Sequence, residues 1–181
     1  MKPLFTIHEG EFLVGDHINR GLGHKYDVWV PTKDTGVDLL VTRKQRRGKA
    51  VGLQVKFSRS FSLREEMARH LIATSWFTLD PAKIRKSPAD LWVFVILTLK
   101  HEGHFVVIPT RELRKRIPRG GSKIWHLYLA VFDDESCYEV RNLSKEEKLD
   151  LHHRGVRDRR RDFSEWLEHW DLLDKFTRKA R

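Results

Sequence analysis

At 181 residues and a formal net charge of +10, the chain has room for one domain with a real core. Its excess of lysine and arginine fits a polyanionic partner, from which basic side chains release condensed counterions. No apolar run approaches the roughly 18 residues of a spanning helix, and Met1–Gly10 lacks a signal-peptide pattern, so a soluble, cytoplasmic chain with no membrane partner is expected. The single cysteine, Cys137, excludes an intrachain disulfide and a cysteine-built zinc site.

Along the chain, Glu11, Val14, Gly15 and Ile18 recur on one helical face and predict a helix over Gly10–Arg20, stopped by Gly21-Leu22-Gly23. Glu11 stands on that apolar stripe, where a lone carboxylate is costly unless a metal or cation partners it, although a first-turn carboxylate also suits the helix dipole. Strands are expected over Tyr26–Pro31, Gly36–Arg43 and Ala50–Ser58, the last two joined by the basic turn Lys44–Lys49. An amphipathic helix is predicted over Leu63–Thr78. The nearly continuous apolar run Leu91–Leu99 reads as a central strand, and His104–Pro109 pairs back on it. A short basic helix over Thr110–Arg116, a strand over Ile124–Phe132 and another over Cys137–Val140 are expected to complete the same sheet, and Phe163–Phe176 has helical spacing. The fold class is therefore α/β: a single domain over 1–181 with a mixed central sheet flanked by helices and a C-terminal amphipathic helix.

The chemistry concentrates on the second and third strands. Side chains alternate along a strand, so Gln54 and Lys56 share one face, and antiparallel pairing brings Asp38 to the same sheet end. A carboxylate and an amide oxygen suit a hard cation, and a neighbouring lysine can orient a water that attacks phosphorus. An ion pair at a strand end is the alternative, but it does not explain why Asp38 interrupts Val37, Leu39, Leu40 and Val41.

An Asp opening an apolar strand, then a hairpin, then (Glu or Gln)-x-Lys on the next strand, resembles the PD-(D/E)xK nuclease superfamily, which includes restriction enzymes and archaeal Holliday-junction resolvases. The Gln form is most similar to its Mrr-type branch. The resemblance runs from about Glu11 to the helix expected after Lys56, roughly the first 80 residues, and implies a restriction-endonuclease-like core. It also implies Asp38 as central metal ligand, Gln54 and the main-chain carbonyl of Val55 as further ligands, Lys56 as catalytic lysine and Glu11 as the acidic residue of the first helix. Gln54 stands where most members carry a carboxylate. The implied activity is Mg²⁺-dependent hydrolysis of DNA phosphodiesters, with Mn²⁺ as a substitute metal. A homodimer is expected for two-fold substrates, and a partner protein could supply targeting. A retired nuclease fold that only binds nucleic acid and an RNA-directed, toxin-like nuclease are the rival readings.

Other chemical residues carry weaker readings. Arg43, Lys44, Arg46, Arg47 and Lys49 in the hairpin turn could seat a phosphate backbone over the metal, whereas Arg111–Arg119 with Lys123 and Arg154–Arg161 read first as solvated faces. Asp34 reads as a turn residue. His101-Glu102-Gly103-His104 lacks the spacing of a helical zinc motif and reads as a hairpin tip. His17, His24, His152 and His153 read as surface histidines, and Trp166, Trp170 and Phe176 as core or dimer contacts rather than a base-stacking platform.

Overall fold

The computed structural model describes residues 8–33, 35–44, 48–58, 70–98, 103–120 and 123–178. Val14 and Ile18 lie one turn apart, and the helix they form, α1 (Glu9–Leu22), buries both together with Gly10 while Glu9 and Arg20 face water. Three strands follow as an antiparallel meander: β1 (Tyr26–Trp29), β2 (Leu39–Arg43) and β3 (Val51–Phe57). The chain then forms β4 (Leu71–Leu79) and α2 (Pro81–Lys86), the latter started by Asp80, whose side chain accepts from the Ala82 and Lys83 amides ahead of a proline in the first turn. β5 (Leu91–Leu97) returns parallel to β3, and β6 (Gly103–Pro109) runs antiparallel to β5. The result is a mixed five-stranded sheet in the order β1-β2-β3-β5-β6.

After α3 (Thr110–Arg116), strands β7 (Trp125–Phe132) and β8 (Cys137–Glu139) join β4 in a separate three-stranded sheet, order β4-β7-β8. The chain closes with α4 (Lys145–Arg154), 3₁₀ turns at Arg159–Arg161 and Ser164–Trp166, and α5 (Leu172–Thr177). β5 is covered on both faces, which is why its run of apolar residues is unbroken: Leu91 to Ile96 are all buried. Its Phe94 meets Phe77 of β4 edge-on at 5.0 Å between ring centroids, so the second sheet covers one face. The opposite face takes α1 and the C-terminal segment, where His17 packs 4.6 Å from Phe105 and 4.8 Å from Trp170.

Three expectations are corrected, and one helix is additional to them. The segment from Leu71 to Thr78 is strand, not helix; residues 59–69 of that expected helix lie outside the described residues. Leu71, Thr74 and Phe77 mimic helical spacing, yet the run is rich in β-branched and aromatic residues, and pairing with β7 decides the outcome. The strands β7 and β8 accordingly build a second sheet rather than completing the first. Over Phe163–Phe176 only the end is α-helical. The reason is the edge of β6: Leu167 bridges Val106, the Glu168 amide donates to the Phe105 carbonyl at 2.8 Å, and the Phe105 amide donates to Glu168 Oε1 at 2.8 Å. Satisfying those edge groups holds Glu168 at a positive φ of 51° and breaks the helical run. Finally, α4 was not foreseen, although Ser144 and Glu147 form a reciprocal capping box that the sequence carries in plain form.

The meander is pinned to the C-terminal segment by Tyr26, Arg43 and Asp174. Arg43 Nη1 stands 3.2 Å from Asp174 Oδ1. Burial, and then the hydrogen bond to Asp174, push the Tyr26 hydroxyl well above its ordinary pKa, while that same hydroxyl donating to Asp174 holds the carboxyl below its own.

Helix α1 approaches β3 at Gly10. A Cβ there would lie 2.4 Å from the Cβ of Phe57, which real structures do not tolerate, so glycine sets the distance between helix and strand. Gly10→Ala is expected to lower stability by about 1–3 kcal/mol through overpacking. An unchanged urea midpoint would refute this close approach.

Candidate functional site

β2 begins only at Leu39, whereas its partner β3 continues to Phe57. Along this edge Leu53 faces β2, accepting from the Asp38 amide at 2.8 Å, and by alternation so does Val55. The Val55 amide would lose its ladder partner where β2 stops. Asp38 supplies one: its Oδ2 accepts the Val55 amide at 2.7 Å and also the Gln54 side-chain amide. The carboxylate that interrupts the apolar run thus stands in for the missing strand. Val55 directs its carbonyl to the same edge as its amide, beside Asp38.

Gln54 and Lys56 share the other face of β3, half-buried, beside Trp92 and Phe94 of β5. Lys56 Nζ lies 5.7 Å from the centroid of the Trp92 ring, a cation–π contact that steadies the ammonium. The tight approach at Gly10 brings the start of α1 over the end of β3, and with it Glu11. Glu11 Oε2 accepts the His8 amide at 3.2 Å, so it caps the helix. Glu11 also lines the cleft.

The structure brings Asp38, Gln54, Val55, Lys56 and Glu11 together around one cleft of about 1050 Å³. Its far wall comes from the end of β4 and from α2: Thr78, Asp80, Lys83 and Lys86. Of these wall residues only Thr78 falls within the helix expected over Leu63–Thr78; no element is expected over 79–90, although Asp80-Pro81 is a legible helix start. Lys83 and Lys86 add cations beside Lys56, so the cleft holds both signs of charge.

The hairpin cations behave otherwise. Arg43 is paired with Asp174, Lys44 Nζ stands 3.4 Å from Asp27, and Lys49 Nζ stands 2.9 Å from Asp90. None of these three lines the cleft. Arg46 and Arg47, like Asp34, His101 and Glu102, lie outside the described residues. His17 departs from its expected surface position, being half-buried against the Phe105 and Trp170 rings of the core, whereas Trp166 and Trp170 are buried, as core aromatics should be. Cys137 is fully buried, which pushes its thiol far above the ordinary range.

Comparison with protein-family models, curated proteins and solved structures gives no match. The functional reading therefore rests on the chemistry of the cleft itself.

Among the described residues no three His, Cys, Asp or Glu side chains gather to form a ready-made metal cage. Mg²⁺ seldom needs one, since it keeps several waters and takes one or two carboxylates together with substrate phosphate oxygens. A carboxylate at Asp38, the Val55 carbonyl on the same edge, and the Gln54 amide form an all-oxygen donor set of that kind. For Gln54 to ligate, its amide must turn so that oxygen replaces nitrogen beside Asp38, a rotation about one terminal torsion.

The double acceptor role of Asp38 has a structural cost when removed. Asp38→Ala leaves the Val55 amide and the Gln54 side chain without their acceptor, and a loss of about 1–3 kcal/mol is expected in denaturant titrations. Asp38→Asn keeps an acceptor oxygen and should lose clearly less; equal losses for the two variants would show that the acceptor role is unimportant.

Proposed function

We propose that the protein is a metal-dependent endonuclease acting on DNA, with Asp38, Gln54 and Lys56 as its catalytic centre and Glu11 beside them. The observation that carries this reading is the convergence of these side chains on one open cleft at the end of β3. The formal charge of +10 supports a nucleic-acid substrate in general.

Asp38, with the Val55 carbonyl and Gln54, would hold Mg²⁺ or Mn²⁺. When bound, that cation supplies charge stabilisation on the scissile phosphate and lowers the pKa of a water. Lys56, fixed against Trp92, orients the attacking water and balances the negative charge that develops on the phosphate. The water oxygen forms a bond to phosphorus as the bond to the leaving sugar oxygen breaks; the water gives up a proton to solvent and the leaving oxygen takes one from it, so the products are a phosphomonoester and a sugar hydroxyl. Lys83 and Lys86 face the cleft from α2 and can contact flanking phosphates without reading sequence.

Removal of the charge at either central position should remove turnover. In Mg²⁺ or Mn²⁺, Asp38→Asn and Lys56→Ala are expected to lower plasmid cleavage by at least about 100-fold, the usual scale for losing a group that stabilises transition-state charge. Cleavage at the wild-type rate by folded Asp38→Asn would overturn the assignment.

One observation favours a second reading, in which the chain is a nuclease fold that only binds nucleic acid. Gln54 donates its amide to Asp38 Oδ2, which also accepts the Val55 amide, so two donors already take up that oxygen. Gln54→Glu separates the two. An active enzyme should gain Mn²⁺ affinity and keep cleaving, whereas a binding protein shows steeply salt-dependent DNA affinity and no cleavage in either form.

A symmetric or double-stranded cut calls for a two-fold assembly, because one cleft addresses one strand at a time. Sedimentation equilibrium at assay concentration should give a mass of two chains; a single-chain mass together with double-strand cutting would exclude the dimer.

A further inference from the structure

A second cleft of about 370 Å³ opens beside β7 and is lined by Arg116, Arg119, Arg141, Arg160 and Arg161. Among the described residues two carboxylates, Glu139 and Asp158, line it with them. The arginines divide by how they are held. Arg116 is fixed, its guanidinium 5.1 Å from the Phe163 ring centroid and 5.7 Å from that of Trp166, and it donates to the Asp162 carbonyl at 3.0 Å. Arg161 is fixed by the Arg141 carbonyl at 2.7 Å and by Glu139 at 3.3 Å. Arg160 is held in a fork by Asp158. Arg119 is exposed and has no ion pair among the described residues. Such a set of rigid guanidiniums around too few carboxylates is suited to phosphate.

An aromatic row adjoins this cleft on the outer face of the second sheet. Trp76 of β4 is 38% exposed and lies opposite Tyr128 of β7, with ring centroids 6.2 Å apart and nearly parallel planes. His126 is 6.3 Å from Trp76, and Arg141 lies 6.0 Å from the Tyr128 centroid. Helix α4 covers the other end of the same face through Leu151, which packs with Ala130 and Val140. The open end is thus aromatic and is flanked by arginines.

The row also touches the first cleft. Thr78, two residues after Trp76, lines the cleft that holds Asp38 and stands 3.4 Å from His126, which lines the arginine cleft.

We propose that Trp76, His126 and Tyr128, together with the arginine cleft beside them, bind an unpaired nucleic-acid strand, with bases stacked on the rings and phosphates held by the guanidiniums. Rings set beside cations are what a flexible single strand requires, whereas a paired duplex keeps its base faces buried in its own stack. The path through Thr78 and His126 places this strand contiguous with the catalytic cleft. The binding surface is nevertheless independent of whether that cleft cleaves.

The test is fluorescence anisotropy in EDTA, which suppresses cleavage, with a labelled oligodeoxythymidylate of about 16 nucleotides and a duplex of equal length. Trp76→Ala is expected to weaken single-strand binding about tenfold, in the range of a lost base–aromatic stack, with a smaller effect on duplex. Trp76→Phe should restore the affinity, and Arg119→Glu should flatten the salt dependence of single-strand binding. Circular dichroism melting of each variant identifies any that fails to fold; should Trp76→Ala do so, Arg119→Glu carries the result, and an unchanged salt slope for single-strand binding would overturn the proposal. Wild-type single-strand affinity in folded Trp76→Ala, or equal losses on both probes, would overturn the proposal.

Discussion

The backbone of β3 must find partners on both of its edges, and most of the molecule follows from how it does so. On one side β5 lies parallel and provides a full ladder; on the other β2 stops short, and a carboxylate completes the ladder in its place. The polar centre is consequently built into the hydrogen bonding of the central sheet, not appended to its surface. Asp38 cannot drift from Val55 without exposing a half-buried amide, so the geometry of the cleft is as firm as the sheet itself.

Two kinds of cationic side chain emerge from the structure, and charge counting alone does not separate them. Arg43, Lys44 and Lys49 pair with Asp174, Asp27 and Asp90 and serve the meander. Lys56, Lys83 and Lys86 instead line the main cleft, and a group of arginines lines the second. The net charge of +10 is therefore unevenly spent: part closes internal ion pairs, and part lines concave surfaces where low-dielectric walls strengthen its field.

Local patterns were legible wherever one element satisfied its own rule. The alternation of Leu53, Gln54, Val55 and Lys56, the all-apolar β5 and the Val14–Ile18 stripe all read correctly, and with them the juxtaposition of Asp38, Gln54 and Lys56. What sequence did not convey was pairing over long range. The spacing of Leu71, Thr74 and Phe77 fits two periods, and only the presence of β7 opposite them selects the extended one. The helical spacing from Phe163 onward was likewise overruled by the open edge of β6, a demand that no residue within the segment announces. Lys83, Lys86 and Thr78 went unnoticed in the cleft for the same reason: their positions depend on where β4 lies.

The bridge from Leu167 and Glu168 to β6 has a further meaning at the level of the whole sheet. A five-stranded open sheet has two edges at which another chain could add a strand, and this segment occupies one of them. The remaining edge is β1, only four residues long. Short edges template poorly, so the sheet is guarded at both ends by different means: a strap at β6 and brevity at β1. Extension of the five-stranded sheet is thereby disfavoured, so a strand added by another chain would have to meet the three-stranded sheet, whose edges are β4 and β8.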